Sequence, residues 1–144
     1  MRSLILGGVE IEFEQVLDGH SDADVLTHAV MDSLLGAAAL GDIGSHFPPS
    51  DKLYKNINSL LLLEKVVELI HQHKLVIGNI DTVIVADKPK LSPYILRMRE
   101  NVSKICQVPI ENVSVKATTE EGLGLAGEGI GTHAVCTLIG TKYL

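Results

Sequence analysis

Residues 4–13, LILGGVEIEF, constrain the fold more than any other stretch of this chain. Two short apolar-alternating runs flank Gly7-Gly8, a pair suited to a two-residue turn whose central positions both need positive φ. The stretch therefore reads as two short strands joined by a two-residue hairpin turn. Beyond the hairpin, strands and helices do not alternate strictly. Residues 22–40 predict a helix capped by Ser21 or Asp22 and stopped by Gly41. Residues 41–58, with Gly44 and Pro48-Pro49, predict a loop long enough to suspect a role. Residues 59–74 predict an apolar-heavy helix ending in His71, His73 and Lys74, which suit its negative C-terminus. Residues 80–86 alternate and are β-branched, so they predict a strand. After a loop at 89–93 come a third helix at 94–107, a strand at 112–118, a glycine-rich turn at 120–131 and a last strand at 132–139. The expected architecture is one α/β (α+β sandwich) domain over residues 1–144. It has a single mixed sheet with three helices packed on one face.

Composition narrows the function. With 46% apolar residues and no run of eighteen, a membrane span is not predicted. No basic segment followed by an apolar run and a small-residue cleavage site signals secretion. Twelve Lys and Arg stand against eighteen Asp and Glu, a net charge of −6, which argues against a nucleic-acid groove. A chain of this charge that handles phosphates needs metal ions or helix N-termini to hold them. Cys106 and Cys136 are the two cysteines and form no Cys-x-x-Cys pair, so neither a disulfide framework nor a zinc ribbon is indicated. A reducing cytoplasm or organelle stroma is the expected compartment. Tryptophan is absent and aromatics are 3%, so the core must be aliphatic.

The densest chemistry lies in residues 19–32, GHSDADVLTHAVMD. On a helix, Asp24, His28 and Asp32 are four apart and share one row. A histidine flanked by carboxylates is suited to metal ligation; a solvated, locally paired face is the alternative. His20 precedes the helix start, where it either contacts a phosphate or is an exposed loop histidine. Thr118 and Thr119 offer hydroxyls at a strand end, and Glu121 offers a hard oxygen of the kind magnesium takes beside phosphates. The glycine run after them is no Walker A loop, since no Gly-Lys-Ser/Thr follows. Gly44 and Pro89 permit unusual backbone at DIG and ADKPKLS, whose exposed amides and carbonyls can read a base edge. His71 and His73 share no helix face and have no expected role, and His133 is expected to be packed or at the surface.

Taken together, ILGGVEI, GHSDADVLTHAVMDSLLGAAALGDIG, HFPPSD, IGNIDTVIVADKPKLSP, MRENVSKI and NVSVKATTEEGLG closely resemble the 2-C-methyl-D-erythritol 2,4-cyclodiphosphate synthase family of the non-mevalonate isoprenoid pathway. The resemblance implies a lyase that forms homotrimers with active sites at subunit boundaries. Its substrate is a small CDP-type molecule, and neither nucleic acid nor membrane is a partner. The 2-phosphate attacks the β-phosphorus of the substrate's own CDP group and CMP leaves, so catalysis is positioning and charge neutralisation. The resemblance also implies the cofactors: Zn2+ or another divalent transition metal, with His28 among its ligands, and Mg2+ or Mn2+ at Glu121. His20 and Thr119 match the catalytic pair, and His20 and Ser21 match phosphate contacts. Asp42 and Gly44 match contacts to the methylerythritol unit. Ala86, Pro89, Lys90, Leu91 and Ser92 match the loop over cytosine. Ile43, Phe47, Asp51, Thr118 and Leu125 complete the implied substrate-binding set.

Three departures accompany the resemblance. The family carries an Asp-x-His zinc pair upstream of ILGG, whereas here Met1, Arg2 and Ser3 precede Leu4, so an N-terminal segment is expected to be missing from this sequence. Pro49 replaces a loop aspartate. The turn GLGLAGEG is about two residues shorter than the family's KLGFTGRGEG, lacks its arginine and has Leu125 for its phenylalanine. An enzyme is therefore set against a metal-poor trimer that binds a cytidine nucleotide or isoprenoid diphosphate without turnover, and against a small-ligand regulatory trimer.

Overall fold

The computed structural model describes residues 3–12, 24–48, 50–51, 57–119 and 129–144. Strands β1 (Ser3–Leu6) and β2 (Val9–Glu12) pair antiparallel around Gly7-Gly8, with Leu6 opposite Val9. Both glycines have positive φ, +58° and +74°, as a tight hairpin requires. A Cβ on Gly8 would also collide with the Leu60 Cδ1, so that side chain would have to shift to admit one.

Helix α1 (Val25–Ala37) begins three residues later than expected, with Asp24 as its cap. Asp24 prevails because its carboxylate reaches far more than the helix. Oδ1 accepts from the Gly7 N–H at 2.8 Å and the Thr27 N–H at 2.9 Å. Oδ2 accepts from the Gly8 N–H and the Thr27 hydroxyl, both at 2.8 Å. The residue is 1% exposed. One buried carboxylate thus fastens the hairpin turn to the first turn of α1, and Asn101 clasps the same turn by donating to the Gly7 carbonyl at 2.9 Å. The charge is tolerable because four donors replace its water.

Within the expected loop a one-turn helix forms, α2 (Ile43–His46), capped by Asp42 accepting from the Ser45 N–H at 2.9 Å. Helix α3 (Ser59–Gln72) is capped by Asn58, which accepts from the Leu60 N–H at 2.8 Å. Lys74, at φ +59°, ends that helical run, and the chain enters β3 (Leu75–Val85), which starts five residues before the predicted strand. Its apolar residues Leu75, Val76 and Ile77 already favour strand. Helix α4 (Ile95–Cys106) ends on left-handed Gln107, and the strands β4 (Val113–Thr118) and β5 (Gly131–Gly140) follow.

The single sheet expected from sequence is corrected. Among the described residues, a three-stranded mixed sheet of order β4-β3-β5 stands beside the separate β1-β2 hairpin. β3 runs parallel to β4 and antiparallel to β5, with an irregularity between Ile77 and Ile80. Ile80 and Ile84 of β3 join Leu26, Val30 and Leu34 of α1, Leu63, Val66 and Ile70 of α3 and Met98 of α4 in one aliphatic core. Arg99 ties α4 to the sheet by donating to the carbonyls of Val113 at 2.8 Å and Ile110 at 3.1 Å. The other face is open: His133, Val135, Thr137 and Ile139 of β5 are exposed, and Lys116 pairs with Asp81 at 2.9 Å. That ammonium holds the Asp81 carboxyl below the usual carboxylate range. Among the described residues no helix is long and apolar enough to cross a membrane.

This packing has two measurable outcomes. Asp24→Ala leaves buried N–H groups of Gly7 and Thr27 without an acceptor, so denaturant unfolding should show a loss of about 3 kcal/mol, with Asp24→Asn costing less. Burial pushes the Cys106 thiol up to about 12, beside Cys136, whose thiol is raised by the same cause. At pH 8 a thiol of that pKa is thiolate in roughly one molecule in ten thousand. Cys106 should therefore resist a thiol-reactive dye in the native protein and react promptly in denaturant.

Candidate active site

The described site residues fall into two groups, one at a sheet edge and one on α1 and its neighbours. Because β3 and β4 are parallel and pair up to Val85 opposite Thr118, both chains leave the sheet at the same carboxyl edge. The Ala86 N–H donates to the Thr118 carbonyl at 2.9 Å, joining the start of the 86–92 loop to the threonine pair. Open α/β sheets present ligands with this edge, where loop amides and hydroxyls converge. Ala86 and Leu91 are buried and anchor the loop, while Lys90 and Ser92 between and after them are exposed. Pro89 follows a cis peptide bond, and Ser92 opens a short 3-10 turn through Tyr94. Thr118 and Thr119 are exposed at the strand end, next to the start of the loop. The edge offers main-chain and hydroxyl donors, the exposed lysines Lys88 and Lys90 and the half-buried Asp87; the donors and ammonium groups suit a base edge and phosphoryl oxygens.

In the second group the acids of the α1 row are engaged within the fold. Asp24 is spent on four hydrogen bonds inside the fold and is not free to ligate. Asp32 Oδ1 accepts from the Ile43 N–H at 3.0 Å, holding α2 against α1. Between them, one turn from each, His28 is half-buried, and its Nε2 lies 3.3 Å from the Ser59 hydroxyl. The row is thus a set of three struts from α1 to the hairpin, to α3 and to α2; among the described residues the imidazole keeps Nδ1, and the exposed Asp32 its second carboxylate oxygen, without a partner. Asp42 is an exposed cap, and Ile43, Phe47 and Asp51 are half-buried near it in sequence. Gly44 does not need its permissive backbone, contrary to expectation. It sits in the regular turn of α2, and a Cβ there would meet only the Asp42 Oδ1, at 3.7 Å.

His28 fits one nitrogen ligand of a divalent cation: half-buried, with one ring nitrogen engaged and the other open. Among the described residues, no three His, Cys, Asp or Glu side chains come together around one point, so they supply one donor and not a whole set. His20, Ser21, Glu121 and Leu125 lie outside the described residues, as does Pro49. Sequence reasoning gave Ser59 no role. Its signal was present in Asn58-Ser59 ahead of an apolar run: with asparagine as the cap, the serine hydroxyl is left over for another partner. A cavity of about 350 Å³ opens beside this serine, bordered by Ile5, Gly8, Glu10, Asp24 and Asn58.

Comparisons with known proteins identify the family of the chain. The chain matches the model of the YgbB family over residues 1–140. It is 57% identical over 140 residues to the 2-C-methyl-D-erythritol 2,4-cyclodiphosphate synthase of Clostridium botulinum Eklund 17B, spanning 96% of this chain and 89% of that one. A solved 2C-methyl-D-erythritol-2,4-cyclodiphosphate synthase with CDP bound superposes with a TM-score of 0.88 at 30% identity, covering 96% of this chain and 91% of the other. The Plasmodium falciparum IspF complex with CDP gives a TM-score of 0.82 at 36% identity, covering 96% and 84%. Carrying the parallel strand edge with its threonine pair and the histidine strut of α1 in a chain so similar from end to end, this protein belongs to the YgbB family, among relatives named 2-C-methyl-D-erythritol 2,4-cyclodiphosphate synthase.

Proposed function

We propose that this chain converts 4-diphosphocytidyl-2-C-methyl-D-erythritol 2-phosphate to 2-C-methyl-D-erythritol 2,4-cyclodiphosphate and CMP. The observation that carries the reading is the shared carboxyl edge of β3 and β4, with the 86–92 loop and Thr118-Thr119 on it, in a chain 57% identical to such a synthase. A 2-phosphate oxygen forms a bond to the β-phosphorus of the CDP group. The bond from that phosphorus to the oxygen bridging to the α-phosphate breaks, and CMP leaves with the electron pair. Nucleophile and leaving group belong to one substrate, so the protein's task is orientation and charge neutralisation.

In this reading the 86–92 loop holds cytosine through main-chain groups around Ala86, Pro89, Lys90 and Leu91, with Ser92 closing it. Thr118 and Thr119 hold phosphoryl oxygens. Asp42, Ile43, Gly44, Phe47 and Asp51 bind the methylerythritol unit, and His20, Ser21 and Leu125 complete the pocket. His28 ligates a zinc-type ion and Glu121 a magnesium-type ion; such cations, when bound, supply Lewis-acid neutralisation of phosphoryl charge. The strand-edge and α1 groups belong to sites completed between neighbouring copies of a homotrimer, a role that the uncovered face of β5 supports. A cytoplasmic enzyme fits the thiol and charge pattern. The company of named synthases does not favour a trimer that binds without turnover.

Incubation with the CDP-methylerythritol 2-phosphate substrate, zinc and magnesium should release CMP in step with the cyclic product. Absence of CMP from a version extended with the family's Asp-x-His strand would overturn the proposal. His28→Ala should lower zinc content and turnover together, the latter by roughly 10-fold or more, the order seen for metal-site changes. Unchanged zinc occupancy in that variant counts against His28 as a ligand.

A further inference from the structure

The pairing of His28 with Ser59 carries one step more, resting on the reading of His28 as a metal ligand. Ser59 is the first residue of α3 and 7% exposed, so its hydroxyl has been removed from water and needs a partner. A serine near a helix start ordinarily spends its oxygen on capping. Here Asn58 does that work, accepting from the Leu60 N–H. Among the described residues, the side-chain partner of Ser59 is the His28 imidazole, at 3.3 Å from Nε2. The two belong to helices that pack side by side, α1 and α3, each fixed independently at its N-terminus by Asp24 and Asn58. The hydroxyl is therefore delivered by a rigid element and not by a mobile loop.

We infer that Ser59 is a positioning residue for metal binding: its oxygen accepts from Nε2–H of His28 and thereby presents the Nδ1 lone pair to the cation. A neutral imidazole carries one proton, and the partner of one ring nitrogen decides which nitrogen is free to ligate. Of the acids flanking His28 on its own helix, Asp24 is engaged through both oxygens and Asp32 through Oδ1, and neither hydrogen-bonds the imidazole. The serine takes the orienting place that a carboxylate would otherwise fill.

The test is run on the full chain with zinc as the probe. Zinc affinity is measured by competition with a chromophoric chelator, alongside nitrogen-15 NMR of the metal-free protein at a pH where imidazole is neutral; the His28 signals are assigned by difference against His28→Gln. The wild type should show His28 protonated at Nε2. Ser59→Ala should mix the two tautomers and weaken zinc binding by roughly 10-fold or more, the range known for loss of a ligand's orienting partner. Ser59→Thr, which keeps the hydroxyl, should restore both readouts, an outcome that helix stability alone does not produce. A wild-type His28 protonated at Nδ1 overturns the inference without needing any Ser59 variant to fold. So does a Ser59→Ala protein with unchanged affinity and tautomer. The two levels separate cleanly. If His28→Ala binds zinc as tightly as the wild type, the ligand reading itself falls; if His28→Ala loses zinc and Ser59→Ala does not, only the positioning role falls.

Discussion

The carboxylate of Asp24 is the joint on which the described architecture turns. Four hydrogen bonds of 2.8–2.9 Å converge on it, two from the glycine turn of the hairpin and two from the first turn of α1. A two-stranded hairpin is too small to be stable alone, and this clasp gives it a polar link to the helix layer. The clasp also fixes the register of α1, because capping sets which residues begin the helix. Everything later on that helix inherits the setting: His28 reaches α3, Asp32 reaches α2, and Ser33 receives the Cys136 thiol on its carbonyl at 3.3 Å.

The second organising constraint is the parallel pairing of β3 with β4. Parallel neighbours need a crossover, and here α4 provides it, tied down by Arg99 at the entry to β4. The outcome is that two segments of different chemistry leave the sheet together: one contributes main-chain groups held by buried Ala86 and Leu91, the other contributes threonine hydroxyls. A nucleotide carries a base to be read and phosphates to be neutralised, and an edge of this kind offers something to each. The acidic net charge of the chain agrees with cations sharing that task.

Much of this was legible in the sequence, and the failures are instructive. Gly7-Gly8 announced the hairpin because only glycine enters both left-handed positions cheaply, and alternation with β-branched residues marked β3 from Ile80, five residues after its observed start. The order of motifs led to the family, which the comparisons bear out. The long-range hydrogen bonds were not legible. Asp24 and Asp32 look equivalent on paper, yet Asp24 is enclosed by a turn sixteen residues earlier and Asp32 is engaged by a backbone amide eleven residues later. Spacing grouped Asp24, His28 and Asp32 correctly on one row but could not say that the acids serve the fold and leave the imidazole. The separation of the hairpin from the main sheet was equally invisible, since hydrophobic period reports that a segment is a strand and not which strand it meets. Ser59 escaped for the opposite reason: a serine at a helix start is so common that nothing marked its hydroxyl as left over.

The account stands most directly on where a cation and a cytidine diphosphate bind. A crystal of this protein soaked with zinc and CDP, with anomalous scattering recorded at the zinc edge, would locate both. The account predicts an anomalous peak within bonding distance of the His28 Nδ1 and a cytosine ring against the 86–92 loop. A His28 ring turned away from every metal and phosphorus centre, with CDP elsewhere on the surface, would contradict it.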